Sequence, residues 1–86
     1  MSTPYTDIAI DQIEAISDDD LHTAVLEICE EILDGAVRPA LRLHALTTAE
    51  GIVFVARVEG YTPWNVFWSN REHGLRIEAV MTYPLR

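Results

Sequence analysis

Lysine is absent from this 86-residue chain. All six basic side chains are arginine, set against fourteen carboxylates, and the formal charge is −8. A chain so charged is repelled by polyanions, so direct binding to nucleic acid or to an anionic membrane surface is not expected. Cysteine occurs once, at Cys29, which rules out an internal disulfide. No stretch approaches the roughly 20 apolar residues of a membrane span. The opening MSTPYTDIAI has no basic n-region and no long apolar run, unlike a secretory leader. Together these absences predict a reducing, cytoplasmic setting.

Recognisable catalytic apparatus is missing as well. There is no P-loop, no glycine-rich dinucleotide fingerprint, no G-x-S-x-G and no paired CxxC. His22 and Cys29 are seven residues apart on a predicted helix, about 10 Å, whereas a nucleophile and its base meet within about 3 Å. Asp18, Asp19 and Asp20 suggest calcium, but Leu21, His22 and Thr23 follow instead of the spaced oxygens, glycine and glutamate that a calcium loop requires. A zinc site would have to gather His22, Cys29, His44 and His73, which nothing in their spacing favours. No catalytic residue, metal ligand or cofactor is expected.

What is present is an ordinary globular composition, 49% hydrophobic and 23% charged. The length suits one domain over 1–86, which buries about 60% of its unfolded surface. Residues 17–35 give the clearest element. Ser17 reads as an N-cap, Asp18 to Asp20 complement the positive end of the helix dipole, and Gly35 reads as a left-handed stop. At 100° per residue Leu21, Val25, Ile28, Cys29, Ile32 and Leu33 share one arc, with Leu26 at its margin. Asp20, Glu27, Glu30, Glu31 and Asp34 share the opposite arc. The preceding residues 1–16 read as an N-terminal arm, extended through Ile8 and Ile10, then a short helical turn with Asp11 as its cap.

Beyond Pro39 the apolar period changes from 3.6 to 2. Strands are expected at 40–47, 52–58, 64–69 and 75–83, joined by short glycine- or proline-bearing turns within 40–83. One long N-terminal helix on a four-stranded antiparallel meander predicts an α+β two-layer sandwich. The face toward the helix should carry Leu41, Leu43 and Ala45; Ile52, Phe54, Ala56 and Val58; Trp64, Val66 and Trp68; and Leu75, Ile77, Ala79 and Met81. The other face should carry Arg42, His44 and Leu46; Val53, Val55 and Arg57; Asn65, Phe67 and Ser69; and Arg76, Glu78, Val80 and Thr82. It is apolar in the centre and arginine-bearing at the rim, which is the anatomy of a protein interface. Cover by the N-terminal arm accounts for the same pattern.

Charge is divided as sharply as periodicity. Residues 1–34 hold ten acids and no lysine or arginine, a charge of −10. Residues 35–86 hold four acids and six arginines, a charge of +2, and the two sum to −8. From Asp20 to Asp34 a helix spans about 21 Å. Duplex DNA carries about a dozen charges over that length. The acidic arc supplies five. Asp7, Asp11, Glu14, Asp18 and Asp19 bring the acids to ten if the arm lies alongside. Helix solvation alone explains such an arc. The sharper expectation is a small non-enzymatic inhibitor or adaptor, of the phage or mobile-element type. It would dock its acidic third, like a nucleic-acid mimic, on the basic surface of a nucleic-acid-handling protein, with Asp20, Glu27, Glu30, Glu31 and Asp34 in contact. One alternative is a homodimeric structural or regulatory subunit that associates through Val53, Val55, Phe67, Val80 and Arg57. Another is an anion- or ligand-binding sheet face built from Arg42, His44, Arg57 and Arg76.

Overall fold

The computed structural model describes residues 3–35, 41, 44–72 and 74–82. Two helices precede a four-stranded antiparallel sheet: α1 (Asp7–Glu14), α2 (Asp19–Leu33), β1 (His44–Thr48), β2 (Gly51–Arg57), β3 (Trp64–Arg71) and β4 (Gly74–Thr82). The fold is α+β as expected, but with two helices instead of one. The arm expected to be extended through Ile8 and Ile10 is helical. Its N-cap is Thr6, not Asp11: the Thr6 hydroxyl accepts from the N–H of Ala9 at 3.0 Å, and Asp7 occupies the first turn. Helical spacing then directs Ala9 and Ile13 inward and leaves Ile8 63% exposed.

The second helix begins one residue later than the sequence suggests. Asp18, not Ser17, is its N-cap, and one carboxylate oxygen accepts from the N–H groups of Asp20 and Leu21 at 2.9 and 3.1 Å. A carboxylate both reaches two orphan donors and carries the charge that the dipole favours, which a serine hydroxyl does not. Gly35 ends the helix as expected, with φ of 80° and its N–H donated to the Ile32 carbonyl.

The strands run in the order β1-β2-β3-β4, each antiparallel to the next. Their bounds differ from expectation by a few residues. The beginning of the expected 40–47 strand and the last residue of the expected 75–83 strand lie outside the described residues. One difference in register has larger consequences. Phe67 pairs with Ala79 but Trp68 pairs with Ile77, so Glu78 is an extra residue, a β-bulge in β4. Past the bulge the alternation of faces is inverted. Val80 and Thr82, expected on the outer face, pair with Val66 and Trp64 on the helix side. Ala79 and Met81, expected on the helix side, pair with Phe67 and Asn65 on the other.

The main core therefore joins Ala9 and Ile13 of α1, Leu21, Val25, Cys29 and Ile32 of α2, Leu41, and the sheet residues Ala56, Val58, Val66, Trp68, Ile77 and Val80. Trp64 and Phe54 pack against it, and the Phe54 and Trp68 rings lie 4.8 Å apart, tilted by 35°. The indole N–H of Trp68 donates to the Leu41 carbonyl at 2.7 Å, so this buried ring keeps its polar handle satisfied. A second, smaller cluster of Val53, Val55 and Phe67, flanked by Leu46 and Ala79, occupies the other face.

Residues 4–12 close the edge of the sheet at β4. The Pro4 carbonyl accepts from the Ile77 N–H, the Thr6 N–H donates to the Ile77 carbonyl, and the Gln12 side-chain oxygen accepts from the Val80 N–H. An edge strand left open is a template for unwanted pairing, and here the chain covers its own. The arm thus serves β4 and the main core, and not the outer face, whose cover was one of the two alternatives the sequence left open.

Candidate functional site

The ten carboxylates of the N-terminal third all belong to the helices and the residues that join them. Nine are exposed, and Glu31 is half-buried. On α2 the expected division holds: Leu21, Val25, Cys29 and Ile32 are buried, while Asp20, Glu27, Glu30 and Asp34 stand in solvent. The apolar arc is fixed against β3 and β4, so the acidic arc has to point away from the sheet. The last turn of α2 contains no basic residue and carries Glu30, Glu31 and Asp34 at or beside the negative end of its dipole.

A half-open groove of about 250 Å³ runs along one flank of that arc. Ala24 and Ile28 of α2 and Val58, just past β2, supply apolar lining. Glu27 and Glu31 of α2 and Glu59 of the β2–β3 turn supply carboxylates. The turn holds its side in place through three backbone hydrogen bonds: Val58 N–H to Trp64, Tyr61 N–H to Val58 and Trp64 N–H to Tyr61, at 3.0, 3.1 and 2.8 Å. Gly60, with φ of 84°, allows the chain to reverse there. Sequence reasoning placed Glu27 and Glu31 on the exposed arc but missed the groove. Its far wall comes from a turn 30 residues downstream, and nothing local to α2 signals that Val58 and Glu59 lie opposite.

The outer-face residues are distributed otherwise than expected. Val53, Val55 and Phe67 do cluster, but within this single chain they are already buried, Val55 completely. Val80 is on the opposite face, in the main core, and does not join them. Arg57 is exposed at the Asn65 end of the sheet, whereas Arg76 pairs with Ser69 at the other end, and Val55 and Phe67 lie between. His44 pairs with Val55. The arginines expected to share an anion site are thus separated, and Arg42 lies outside the described residues, as does His73. Glu78, on the bulge, accepts from the Ser69 hydroxyl at 2.6 Å.

Cys29 is fully buried, and burial pushes its thiol up to about 12, against a lowering contribution from its hydrogen bond with Tyr5. A thiol so placed is inert at neutral pH. Among the described residues no three His, Cys, Asp or Glu side chains are grouped to hold a metal ion, and no helix is long and apolar enough to cross a membrane. No protein-family model, no curated protein and no solved structure matches the chain.

Proposed function

We propose that the protein is a small non-enzymatic binding domain, a two-layer sandwich whose acidic N-terminal third docks on a basic protein surface. In the sharper form of this reading the partner handles nucleic acid, and the protein is an inhibitor or adaptor of phage or mobile-element type that occupies the partner's nucleic-acid groove in the cytoplasm. The observation that carries the reading is the segregation of charge: ten carboxylates on the helical layer, with no lysine or arginine among residues 1–34. The placement at the end of α2 adds to it. Acids at a helix C-terminus cost about 0.3–1 kcal/mol each at low salt, and a surface selected only for solubility would be expected to avoid that position.

The two alternatives draw less support. Association through the outer face calls for exposed apolar surface, and Val53, Val55 and Phe67 are buried within the chain itself. An anion site calls for converging arginines, and Arg57 and Arg76 lie at opposite ends of the sheet.

The test is a triple charge reversal, Glu27→Lys, Glu31→Lys and Asp34→Lys. Partners captured from host extract by the wild-type protein are identified, purified and titrated against both forms by calorimetry. Wild-type binding should weaken as salt rises, and the variant should lose it. Equal affinity of the two forms for every purified partner removes the proposal.

A further inference from the structure

We propose that two copies of this chain associate through the β1 edge of the sheet, β1 pairing antiparallel with its own mate about a twofold axis at Leu46. The two edges of the sheet are built differently. β4 carries the bulge at Glu78, and residues 4–12 close it, with Tyr5 bridging to Ile77 and Gln12 accepting from Val80. Bulges and covering segments both keep an edge from pairing with another chain. β1 is the opposite edge, and among the described residues nothing pairs with its far side. It has none of the usual protections. His44–Thr48 contains no Lys, Arg, Asp, Glu or Pro, and its register with β2 runs unbroken from His44↔Val55 to Thr48↔Gly51. Such a strand offers a row of backbone donors and acceptors as a template for a further strand.

The apolar pattern selects a second copy as the occupant. The outer cluster of Val53, Val55 and Phe67 ends at this edge with Leu46, which pairs with Val53 and is half-buried. Leu46 is also the middle residue of the strand. A twofold axis there sets Leu46 against its mate and joins the two clusters into one, and the same residues serve both sides. Charge agrees with this placement. The helices that carry the acids of residues 1–34 contact β3 and β4. β4 stands three strand spacings, about 14 Å, from β1, beyond the screening length of about 8 Å at physiological salt. Two chains of charge −8 can therefore meet at β1 without opposing their acidic layers. The strand is also held ready: the Thr48 hydroxyl donates to the Gly51 carbonyl at 2.7 Å and accepts from the Glu50 N–H at 3.2 Å. An edge of about 17 Å makes a small interface, so the dimer exchanges with monomer and is not permanent. The acidic layers of both copies stay open, and the inference is independent of the docking reading above.

The experiment is analytical ultracentrifugation of the intact protein from about 10 μM to about 1 mM, with amide NMR spectra over the same range. The sedimentation coefficient should rise with concentration toward that of a dimer. The amides of His44–Thr48 should shift while those of Gly74–Thr82 stay still. Added salt should strengthen the association, because like-charged chains repel, whereas docking of the acidic layer on a basic surface weakens with salt. Ala45 and Thr47 test the register. Both are exposed, and with the axis at Leu46 each lies opposite the other's mate. Ala45→Lys with Thr47→Lys sets cation against cation twice and should weaken the dimer about fivefold. Ala45→Lys with Thr47→Glu sets cation against anion twice and should tighten it about fivefold. Thermal melts at the lowest concentration check that both variants fold, and the wild-type concentration series decides the matter if either does not. A wild type that stays monomeric at about 1 mM overturns the proposal and leaves the edge to another protein's strand or to solvent. A dimer whose β1 amides do not move, or equal association of the two folded double variants, overturns it as well.

Discussion

Thr6 and Glu78 are 72 residues apart in sequence and one hydrogen bond apart in space: the Thr6 hydroxyl donates to the Glu78 carbonyl at 2.7 Å. The same oxygen accepts from the Ala9 N–H and so caps α1. Glu78 is the extra residue of the bulge, where the ladder to β3 is interrupted. One side chain therefore starts a helix and satisfies an edge carbonyl.

Thr6→Val keeps the shape and removes both bonds. The cap contributes about 1 kcal/mol and the abandoned carbonyl about as much again, so the variant should unfold in urea with a stability lower by about 2 kcal/mol. Thr6→Ser retains the hydroxyl and should lose only a fraction of that. Equal stability of Thr6→Val and wild type would show that the Thr6 hydroxyl contributes nothing to the fold.

The bulge also explains where the sequence misleads. Period-2 alternation assigned the residues of β2, β3 and the first part of β4 to their correct faces, because each obeys the pleat. It failed at Ala79, Val80, Met81 and Thr82 because an inserted residue reverses every later side chain, and the sequence carries no mark of it: Glu78 sits in an otherwise regular alternation. The start of helix α1 was placed too late, at Asp11 and not Thr6, for a related reason. Ile8, Ile10, Ile13 and Ile16 fit both periods partway, and what decides between them is a contact with β4, remote in sequence. The acidic arc of α2 was legible because a 15-residue helix with caps at both ends sets its own faces. The groove was not, because its two walls meet only in the folded chain.

Two apolar residues of β2 should respond to charge very unequally. Val55 is completely buried and Ile52 is 52% exposed. Val55→Asp places an unpaired carboxylate among Val53, Phe67 and Leu46 and should cost more than about 4 kcal/mol, enough to unfold a domain of this size. Ile52→Asp should stay within about 1 kcal/mol of wild type. Thermal melts of the two variants read the difference. A folded, monomeric Val55→Asp protein would mean that the outer cluster is a surface between molecules and not part of this chain's own core.

Cys29 sets a limit on stability in alkali. The folded chain holds the thiol proton up to about pH 12, while an unfolded thiol titrates near its ordinary value of 9.0. Between these values the unfolded state binds fewer protons than the folded state, so stability is intact below about pH 9 and falls as pH rises toward 12. The slope approaches 1.4 kcal/mol per pH unit. Tyr5, also raised by burial and by the neighbouring Cys29 and Glu30, adds to the fall in the same direction. Cys29→Ala should be less stable at pH 7, because a buried sulfur is lost, yet show a shallower decline above pH 9. Urea melts at pH 7, 9 and 10.5 measure both, and parallel declines in the two proteins would place the alkaline loss elsewhere.

The end of α2 offers a way to separate stability from binding. Glu30 and Asp34 stand exposed where the helix dipole is negative, and no cation in the last turn offsets them. Glu30→Lys with Asp34→Lys reverses both interactions, so the variant should be more stable by about 0.3–1 kcal/mol per site at low salt. The gain should shrink at 0.15 M salt, where the screening length is about 8 Å. If the acidic layer is the docking surface, the same change should raise the Tm and weaken the basic partner, the trade-off expected where a surface is kept for function at the expense of the fold. A raised Tm with unchanged partner affinity would assign those two acids to solvent alone and confine docking to the Glu27, Glu31 and Glu59 side of the helix.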